Sequence, residues 1–178
     1  IVAIEKCILE KFPQGLVTFG EMQVANSSRN TIPGQIQWTI DLRHPDDAAL
    51  KAMEIETTTI LSRLAMERDL EVRVSQHWLS PATYFNPTCV ATVQDAVNSL
   101  GYSNQTIVSG AGHDAINIAK HCPTTMIFIP CIDGLSHNEA EDIYMQDAAQ
   151  GADVLLNAIL NYDAQSAAQV AQNNTATV

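Results

Sequence analysis

The segment S-G-A-G-H-D-A at residues 109–115 has the residue types and spacing of a ligand-binding turn. Its two glycines let the backbone approach a ligand closely, and a helix starting just after them would present free N–H groups to an anion. The segment also matches the nucleotide-binding pattern G-x-G-x-x-A, with Asp133 about 20 residues further on. That interpretation ranks last, because the predicted helix is short and too little chain remains to complete a dinucleotide-binding half. A tight strand-to-helix turn capped by Asp114 remains as an alternative.

A second polar segment, D-G-L-S-H-N-E-A-E at residues 133–141, lies between an apolar run and the last predicted helix. On a loop rigidified by Gly134, His137 is well placed to bind a metal ion through one ring nitrogen while a neighbour orients the other nitrogen. Capping of the next helix by Ser136 or Asn138 explains the same residues without a metal. The residues alone leave both interpretations open.

Two further segments together could bind a carboxylate. Asn30 lies in S-R-N-T-I-P-G at residues 28–34, and Arg43 ends the tripeptide D-L-R at residues 41–43. An amide and a guanidinium on adjacent strands would clamp a carboxylate, because arginine offers two parallel donors. Spacing alone favours the simpler alternative, in which residues 30–34 form a hairpin turn and Arg43 is a surface charge.

The elements that must position Asn30 and Arg43 follow a helix, strand, strand, helix, strand order. Alternating apolar residues predict strands over 17–24, with a bulge at Gly20, and over 35–43, with Arg43 on the solvent face. A helix is also predicted over 1–9, and a third strand over 71–77 that buries Val72 and Val74. Between them, Pro45 and Asp46 begin a helix. The apolar stripe of that helix, which should face the core, contains Leu50, Met53, Thr57, Ile60 and Leu64. This order predicts a two-layer α+β sandwich.

The pattern changes beyond Pro81, where we place a domain boundary. The predicted elements are a helix over 88–100, a short strand over 106–108, a helix over 114–121, a strand over 125–130 and a long helix over 139–161. The continuous apolar run at 126–129 indicates a strand covered on both faces, as in parallel α/β sheets. Residues 166–178 are rich in Ala, Gln, Asn and Thr without an apolar period, so we expect them to be disordered.

Composition narrows the functional class. The formal charge is −11, and no Lys or Arg follows Lys120, so the chain would repel nucleic-acid phosphates. No apolar run approaches the length of a membrane span. Four separated cysteines without a C-x-x-C pair favour reduced thiols over a disulfide framework. We expect a cytoplasmic protein that binds neither nucleic acid nor membrane, and we interpret the start at Ile1, inside a predicted helix, as a truncation or processing point.

Taken in order, the three segments resemble one family. Asn30-x-Ile-Pro-Gly, then D-L-R-H from residue 41, S-G-A-G-H-D-A from 109, and G-x-S-H-N-x-x-E from 134 are similar to the N-carbamoyl-L-amino-acid amidohydrolases. That group includes β-ureidopropionase and allantoate amidohydrolase, within the aminoacylase-like clan of dinuclear metallopeptidases. The resemblance spans residues 19–141.

This resemblance implies a two-domain subunit with an α/β (α+β) fold. Residues 1–81 would be a ferredoxin-like lid that forms a homodimer, 82–165 the C-terminal part of the catalytic domain, and 166–178 the tail. Asn30 and Arg43 would hold the substrate carboxylate, Gly112 and His113 would contact the substrate near the scissile ureido group, and His137 would be the final metal ligand.

The resemblance also implies two divalent ions, zinc, manganese, cobalt or nickel, and a glutamate general base. In the family, the general base and the remaining metal ligands belong to motifs upstream of the segments present here, and no Glu-Glu pair occurs in the 178 residues, so no catalytic residue is assigned. We therefore expect a fragment that is inactive alone and binds few or no metal ions. Allantoate or ureidoglycolate hydrolysis and a non-catalytic dimerisation module are the alternatives.

Overall fold

The computed structural model describes residues 1–175, without the side chains of 169–171 and 173–175. The chain divides into two compact units. The first comprises Ile1–Ala82 with Val108–Gly110, and the second comprises Thr83–Ile107 with the chain from Ala111 onward. Grouping of Val108–Gly110 with the first unit was not predicted from the sequence. The architecture is of the α+β class, as the sequence predicted.

The first unit contains two helices and two short antiparallel strand pairs. Its elements are α1 (Val2–Lys11), β1 (Leu16–Thr18), β2 (Met22–Val24), β3 (Ile36–Trp38), β4 (Asp41–Arg43) and α2 (Asp47–Glu67). Strand β1 pairs with β4, and β2 pairs with β3. Each predicted long strand is therefore interrupted, and the first interruption lies around Gly20, where Glu21 and Thr39 exchange hydrogen bonds of 3.0 Å.

Helix α2 begins and packs as its sequence predicts. The Asp46 carboxylate accepts a 2.7 Å hydrogen bond from the Ala49 N–H, which satisfies a donor that no helical carbonyl can reach. Its apolar stripe faces inward, with Met53, Thr57 and Ile60 buried. The core of this unit consists of Ile4 and Ile8 from α1 with Met53 and Ile60 from α2.

Replacing Met53 by alanine tests this core. The side chain is fully buried, so its loss leaves a cavity and should lower the free energy of unfolding by about 2–5 kcal/mol. Met66→Ala is the matched control, because Met66 lies exposed on the same helix and should change stability by less than about 0.5 kcal/mol. Urea titration of the full chain measures both. Equal effects of the two substitutions would contradict the packing described.

The predicted third strand is not formed. Residues 71–77 have no regular secondary structure, and none of them makes a backbone–backbone hydrogen bond within the described chain. The Val74 side chain is 57% exposed, so the prediction that it is buried was wrong. Alternation predicts which side chains would share a face, whereas a strand also requires a neighbour to pair with.

The second unit is mainly helical. It contains α3 (Pro87–Leu100), α4 (Ala115–Ile118), a 3₁₀ turn (Ile132–Gly134) and α5 (Met145–Thr175). Helix α3 is capped at its start by the Asn86 side chain, which accepts from the Cys89 N–H at 3.1 Å, and at its end by Gly101 with φ of 73°. Buried Ala96, Val154 and Ala158 lie where α3 packs against α5.

Two predicted strands of this region are also absent. Residues 106–108 and 125–130 have no regular secondary structure and pair with no strand in the described chain. The expectation that the 126–129 run is covered on both faces was wrong, since Phe128 is 45% exposed. The apolar residues are those of an inner strand, and the neighbouring strands that such a segment needs are not supplied by the described residues.

Helix boundaries in the second unit also differ from prediction. Helix α4 spans four residues, not eight, and α5 begins at Met145, because residues 139–140 form a turn and residues 141–144 are not helical. Helix α5 then continues to Thr175, so the predicted disorder is wrong for residues 166–175, while 176–178 lie outside the described residues. Extending an existing helix adds one hydrogen bond per residue, and Ala and Gln favour that extension. No helix in the described chain is long and apolar enough to cross a membrane.

Candidate functional site

Arg43 is the most tightly positioned of the predicted substrate-binding side chains. Its Nε lies 3.1 Å and 3.2 Å from the two carboxylate oxygens of Asp41, and its Nη2 donates to Oδ2 at 2.7 Å. Its Nη1 donates to the Gly110 carbonyl at 2.8 Å. The hydrogen bond from Arg43 to Asp41 raises the pKa of the guanidinium above its usual value, with the charge of Asp41 acting in the same direction.

Asp41 is a positioning residue that the sequence reasoning did not single out. Residues i and i+2 of a strand share one face, so D-x-R in a strand could have revealed the pair. A guanidinium has five N–H donors, and the contacts to Asp41 and Gly110 leave one on each terminal nitrogen. The side chain is about half exposed.

Asn30 lies in an exposed turn between β2 and β3. Its Oδ1 accepts a 3.0 Å hydrogen bond from the Ser28 hydroxyl, and Ser28 forms an isolated bridge with Thr31. Asn30 and Arg43 therefore belong to the same unit but are held by different partners. The turn spans residues 28–31, whereas the simpler interpretation placed a hairpin turn at residues 30–34.

The segment at residues 109–115 has an unexpected local structure. Asp114 makes no side-chain hydrogen bond to the helix that follows it, so the predicted capping role was wrong. A Cβ at Gly112 would meet no atom within 4 Å, and one at Gly110 would lie 3.9 Å from Leu16 Cδ1, an ordinary contact. Neither glycine has a positive φ. Within the described chain, neither packing nor backbone conformation requires glycine at these two positions.

His113 is half-buried and packs against an aromatic ring. Its ring centroid lies 5.4 Å from that of Phe128, with the planes at 62° in an edge-to-face arrangement. Phe128 thus packs against the imidazole of the G-H-D segment.

His137 lies on an exposed loop with an unusual backbone. Asp133, Gly134 and His137 have φ values of 54°, 68° and 55°. For residues other than glycine this left-handed region is uncommon and costs of order 1 kcal/mol or more, and such strain is concentrated at functional sites. The predicted capping of a helix by Ser136 or Asn138 is not found, because α5 begins only at Met145.

Glu141 holds this loop in shape. Its Oε2 accepts a 2.6 Å hydrogen bond from the His137 N–H, and the Ile132 N–H donates to the Asp142 carbonyl at 2.9 Å. Both hydrogen bonds hold main-chain atoms of the loop in place, and neither involves the His137 imidazole. No group of three or more His, Cys, Asp or Glu side chains within the described residues could hold a metal ion.

Comparison with known proteins decides the family. The model for peptidase family M20/M25/M40 matches residues 6–161. The chain belongs to this family. It is 44% identical over 161 residues to the N-carbamoyl-L-amino-acid amidohydrolase of Rhizobium meliloti, a match covering 88% of this chain and 38% of that protein. It is 33% identical to the allantoate amidohydrolase of Escherichia coli K12 over 140 residues, covering 79% of this chain and 34% of the relative.

Solved structures of hydantoinase/carbamoylase family amidases have the same fold. A hydantoinase/carbamoylase family amidase from Burkholderia ambifaria superposes with a TM-score of 0.81 at 45% identity. That match covers 89% of this chain and 38% of the amidase. The resemblance to carbamoyl-amino-acid and allantoate amidohydrolases is therefore confirmed, and the chain spans little more than a third of the length of these relatives.

Proposed function

We propose that this chain forms the substrate-binding part of a metal-dependent amidohydrolase that cleaves the ureido C–N bond of N-carbamoyl-L-amino acids. The products would be the amino acid, carbon dioxide and ammonia. The observation that carries this proposal is the 44% identity with an N-carbamoyl-L-amino-acid amidohydrolase across 88% of the chain. The geometry of Arg43 and of the His137 loop supports it.

In this proposal Arg43 binds the substrate carboxylate, with Asn30 as a second donor. The hydrogen bonds from Arg43 to Asp41 and to the Gly110 carbonyl fix the plane of the guanidinium before substrate binds. A donor that is already oriented loses less conformational freedom on binding, so its charge-assisted hydrogen bonds contribute more to affinity. Asn30 would add an amide N–H, because its Oδ1 already accepts from Ser28.

Gly112 and His113 would contact the substrate near the scissile group. The space beside Gly112, where a Cβ would meet nothing within 4 Å, supports close approach of a ligand to this backbone. The imidazole of His113, oriented by Phe128, would donate to or accept from the ureido oxygen or nitrogen. These two assignments rest on the family resemblance, and the local geometry is compatible with them.

The described residues do not fit a complete dinuclear metal centre, since they bring no three potential ligands together. Amidohydrolases of the M20 family are metal-dependent. We propose that His137 is one ligand and that the others, with the general base, belong to the portion of the relatives that this chain does not cover. The isolated chain would then be inactive, and the ions in the intact enzyme would be zinc, manganese, cobalt or nickel.

Allantoate hydrolysis is the second candidate function. The 33% identity with the allantoate amidohydrolase of Escherichia coli supports it, because both substrates present a carboxylate and a ureido group to the same residues. A non-catalytic binding module is the third candidate, and the lack of a metal-ligand cluster in the described residues favours it for the chain alone.

We also propose that the first unit forms a homodimer and that the protein resides in the cytoplasm. Four free cysteines, Cys7, Cys89, Cys122 and Cys131, support a reducing compartment.

Ammonia release by the complete gene product, loaded with each of the four metals, tests the function. We expect kcat/KM to be highest for N-carbamoyl-L-methionine, lower for allantoate and ureidoglycolate, and lowest for N-carbamoyl-D-methionine. A higher kcat/KM for allantoate would support allantoate hydrolysis, the second candidate function, instead. Absence of turnover with every metal and substrate would contradict an amidohydrolase.

A further inference from the structure

The β1–β4 strand pair has one face against the helices and one face away from them. Val17 and Leu42 are opposite each other in the register, and both pack against the core of the first unit. Side chains alternate along a strand, so the next pair, Leu16 opposite Arg43, lies on the other face. A leucine is therefore the cross-strand neighbour of the proposed carboxylate-binding residue, and the Cβ atoms of such pairs are about 4.5–5.5 Å apart.

Leu16 and Arg43 also lie against the same third residue. The Arg43 Nη1 donates to the Gly110 carbonyl at 2.8 Å, and the Leu16 Cδ1 lies 3.9 Å from the position that a Cβ of Gly110 would occupy. This shared neighbour brings the end of the leucine side chain close to the guanidinium. Leu16 is nevertheless 58% exposed, so much of its apolar surface is open to solvent beside a charged group.

The chemistry of the proposed substrates gives this apolar surface a role. In an N-carbamoyl-L-amino acid, one carbon atom carries the carboxylate, the ureido group and the amino-acid side chain. A substrate whose carboxylate is bound by Arg43 must therefore place its side chain close to the guanidinium. If that side chain is apolar, contact with Leu16 removes hydrocarbon surface of both partners from water, which favours binding.

We propose that Leu16 is a specificity-determining residue, whose side chain contacts the substrate side chain and selects N-carbamoyl-L-amino acids with large apolar side chains. This inference rests on the proposed function and narrows its substrate class. In allantoate, the carbon next to the carboxylate carries a second ureido group instead of a hydrocarbon chain. That polar group would lose water against Leu16 without gaining a hydrogen bond from it, so the same residue disfavours allantoate.

Replacing Leu16 by alanine tests this role through a comparison of two substrates. In the complete gene product, Leu16→Ala should lower kcat/KM for N-carbamoyl-L-leucine about 10-fold or more, because several methylene contacts are lost. N-carbamoylglycine has the same carboxylate and ureido group but no side chain, so its kcat/KM should change less than about 2-fold. Ammonia release measures both values. Equal losses with the two substrates would overturn the proposal, because a disturbed Arg43 would affect both alike.

A conservative variant and a matched control make the comparison specific. Leu16→Met conserves volume and apolar character, so it should retain most of the preference for N-carbamoyl-L-leucine. Leu9→Ala is the control, because Leu9 is a leucine of α1 in the same unit and is 67% exposed. It should leave the ratio of the two kcat/KM values unchanged. A ratio that falls as far in Leu9→Ala as in Leu16→Ala would overturn the proposal.

Binding of the reaction products separates this inference from the proposed function. L-Leucine and glycine each carry the carboxylate and cannot be hydrolysed, so calorimetry measures their binding whether or not the protein releases ammonia. We expect L-leucine to bind about 10-fold more tightly than glycine, and Leu16→Ala to remove that preference. The same preference without ammonia release would count against amide hydrolysis and support the role of Leu16. Equal affinity of the unsubstituted protein for both amino acids would overturn that role.

Discussion

Replacing His137 by alanine in the complete gene product is expected to lower kcat for N-carbamoyl-L-methionine by about 10³-fold or more, equivalent to about 4 kcal/mol of transition-state stabilisation. The imidazole lies outside the hydrogen bonds that shape its loop, so its removal would delete the proposed metal ligand and leave the 2.6 Å bond from the residue 137 N–H to Glu141 in place. Steady-state ammonia release measures the loss.

The left-handed backbone at His137 requires a second variant. Alanine at a φ of 55° adds strain of its own, whereas asparagine adopts this region readily. His137→Asn should therefore preserve the loop and still reduce kcat severely. His77→Ala is the control, since His77 is an exposed imidazole whose Nε2 lies 3.3 Å from the Ser75 hydroxyl. Turnover of His137→Asn close to that of His77→Ala would contradict the ligand role.

Replacing Arg43 by alanine should raise KM for N-carbamoyl-L-methionine about 100-fold with a much smaller change in kcat. The reason is loss of charge-assisted hydrogen bonds to the substrate carboxylate, about 2–3 kcal/mol of binding that ground state and transition state share. Arg43→Lys should recover only part of the loss, because an ammonium cannot form the same paired contacts with Asp41, Gly110 and a carboxylate.

A substrate without a carboxylate separates this binding role from a structural one. Arg43 also bonds the Gly110 carbonyl, so its removal could disturb that segment. Hydrolysis of a simple N-alkylurea should be equally slow in the unsubstituted protein and in Arg43→Ala, if the side chain acts on the carboxylate alone. Arg63→Ala removes an exposed pair with Glu67 and should alter neither substrate's kinetics. An unchanged KM in Arg43→Ala would contradict the proposed binding of the substrate carboxylate by Arg43.

Helices were the elements that sequence reasoning predicted best, because their signals are local. Asp46 caps α2 and Asn86 caps α3 by hydrogen bonds to residues three positions later. The stripe around Met53 and Ile60 is buried as its period predicts. These contacts lie within one or two turns, so the chain alone determines them.

Strands were predicted less well, because pairing depends on residues distant in sequence. Residues 71–77 and 125–130 have strand composition, yet neither finds a partner among the described residues. The run at 126–129 indicated an inner strand, and its exposure shows that an inner strand needs neighbours that composition cannot supply. The prediction of disorder at residues 166–175 was wrong for the opposite reason. Propagation of helix α5 into these residues outweighed their lack of an apolar period.

Sequence reasoning proposed residues for the candidate site and did not predict its geometry. The family resemblance singled out Arg43 and His137, whereas the hydrogen bonds from Arg43 to Asp41 and the left-handed backbone at residue 137 depend on the folded loops. The Arg43 to Gly110 hydrogen bond joins segments 67 residues apart, and no local pattern encodes such a contact. The roles of all five candidate residues, Asn30, Arg43, Gly112, His113 and His137, remain predictions.

Metal content of the complete gene product tests the central claim most directly. After dialysis against zinc, manganese, cobalt or nickel and removal of free ions, elemental analysis should find two ions per subunit and fewer in His137→Asn. The His77→Ala control should match the unsubstituted protein. A protein that retains no transition metal, or that retains equal amounts with and without the imidazole of residue 137, would contradict the assignment to metal-dependent amide hydrolysis.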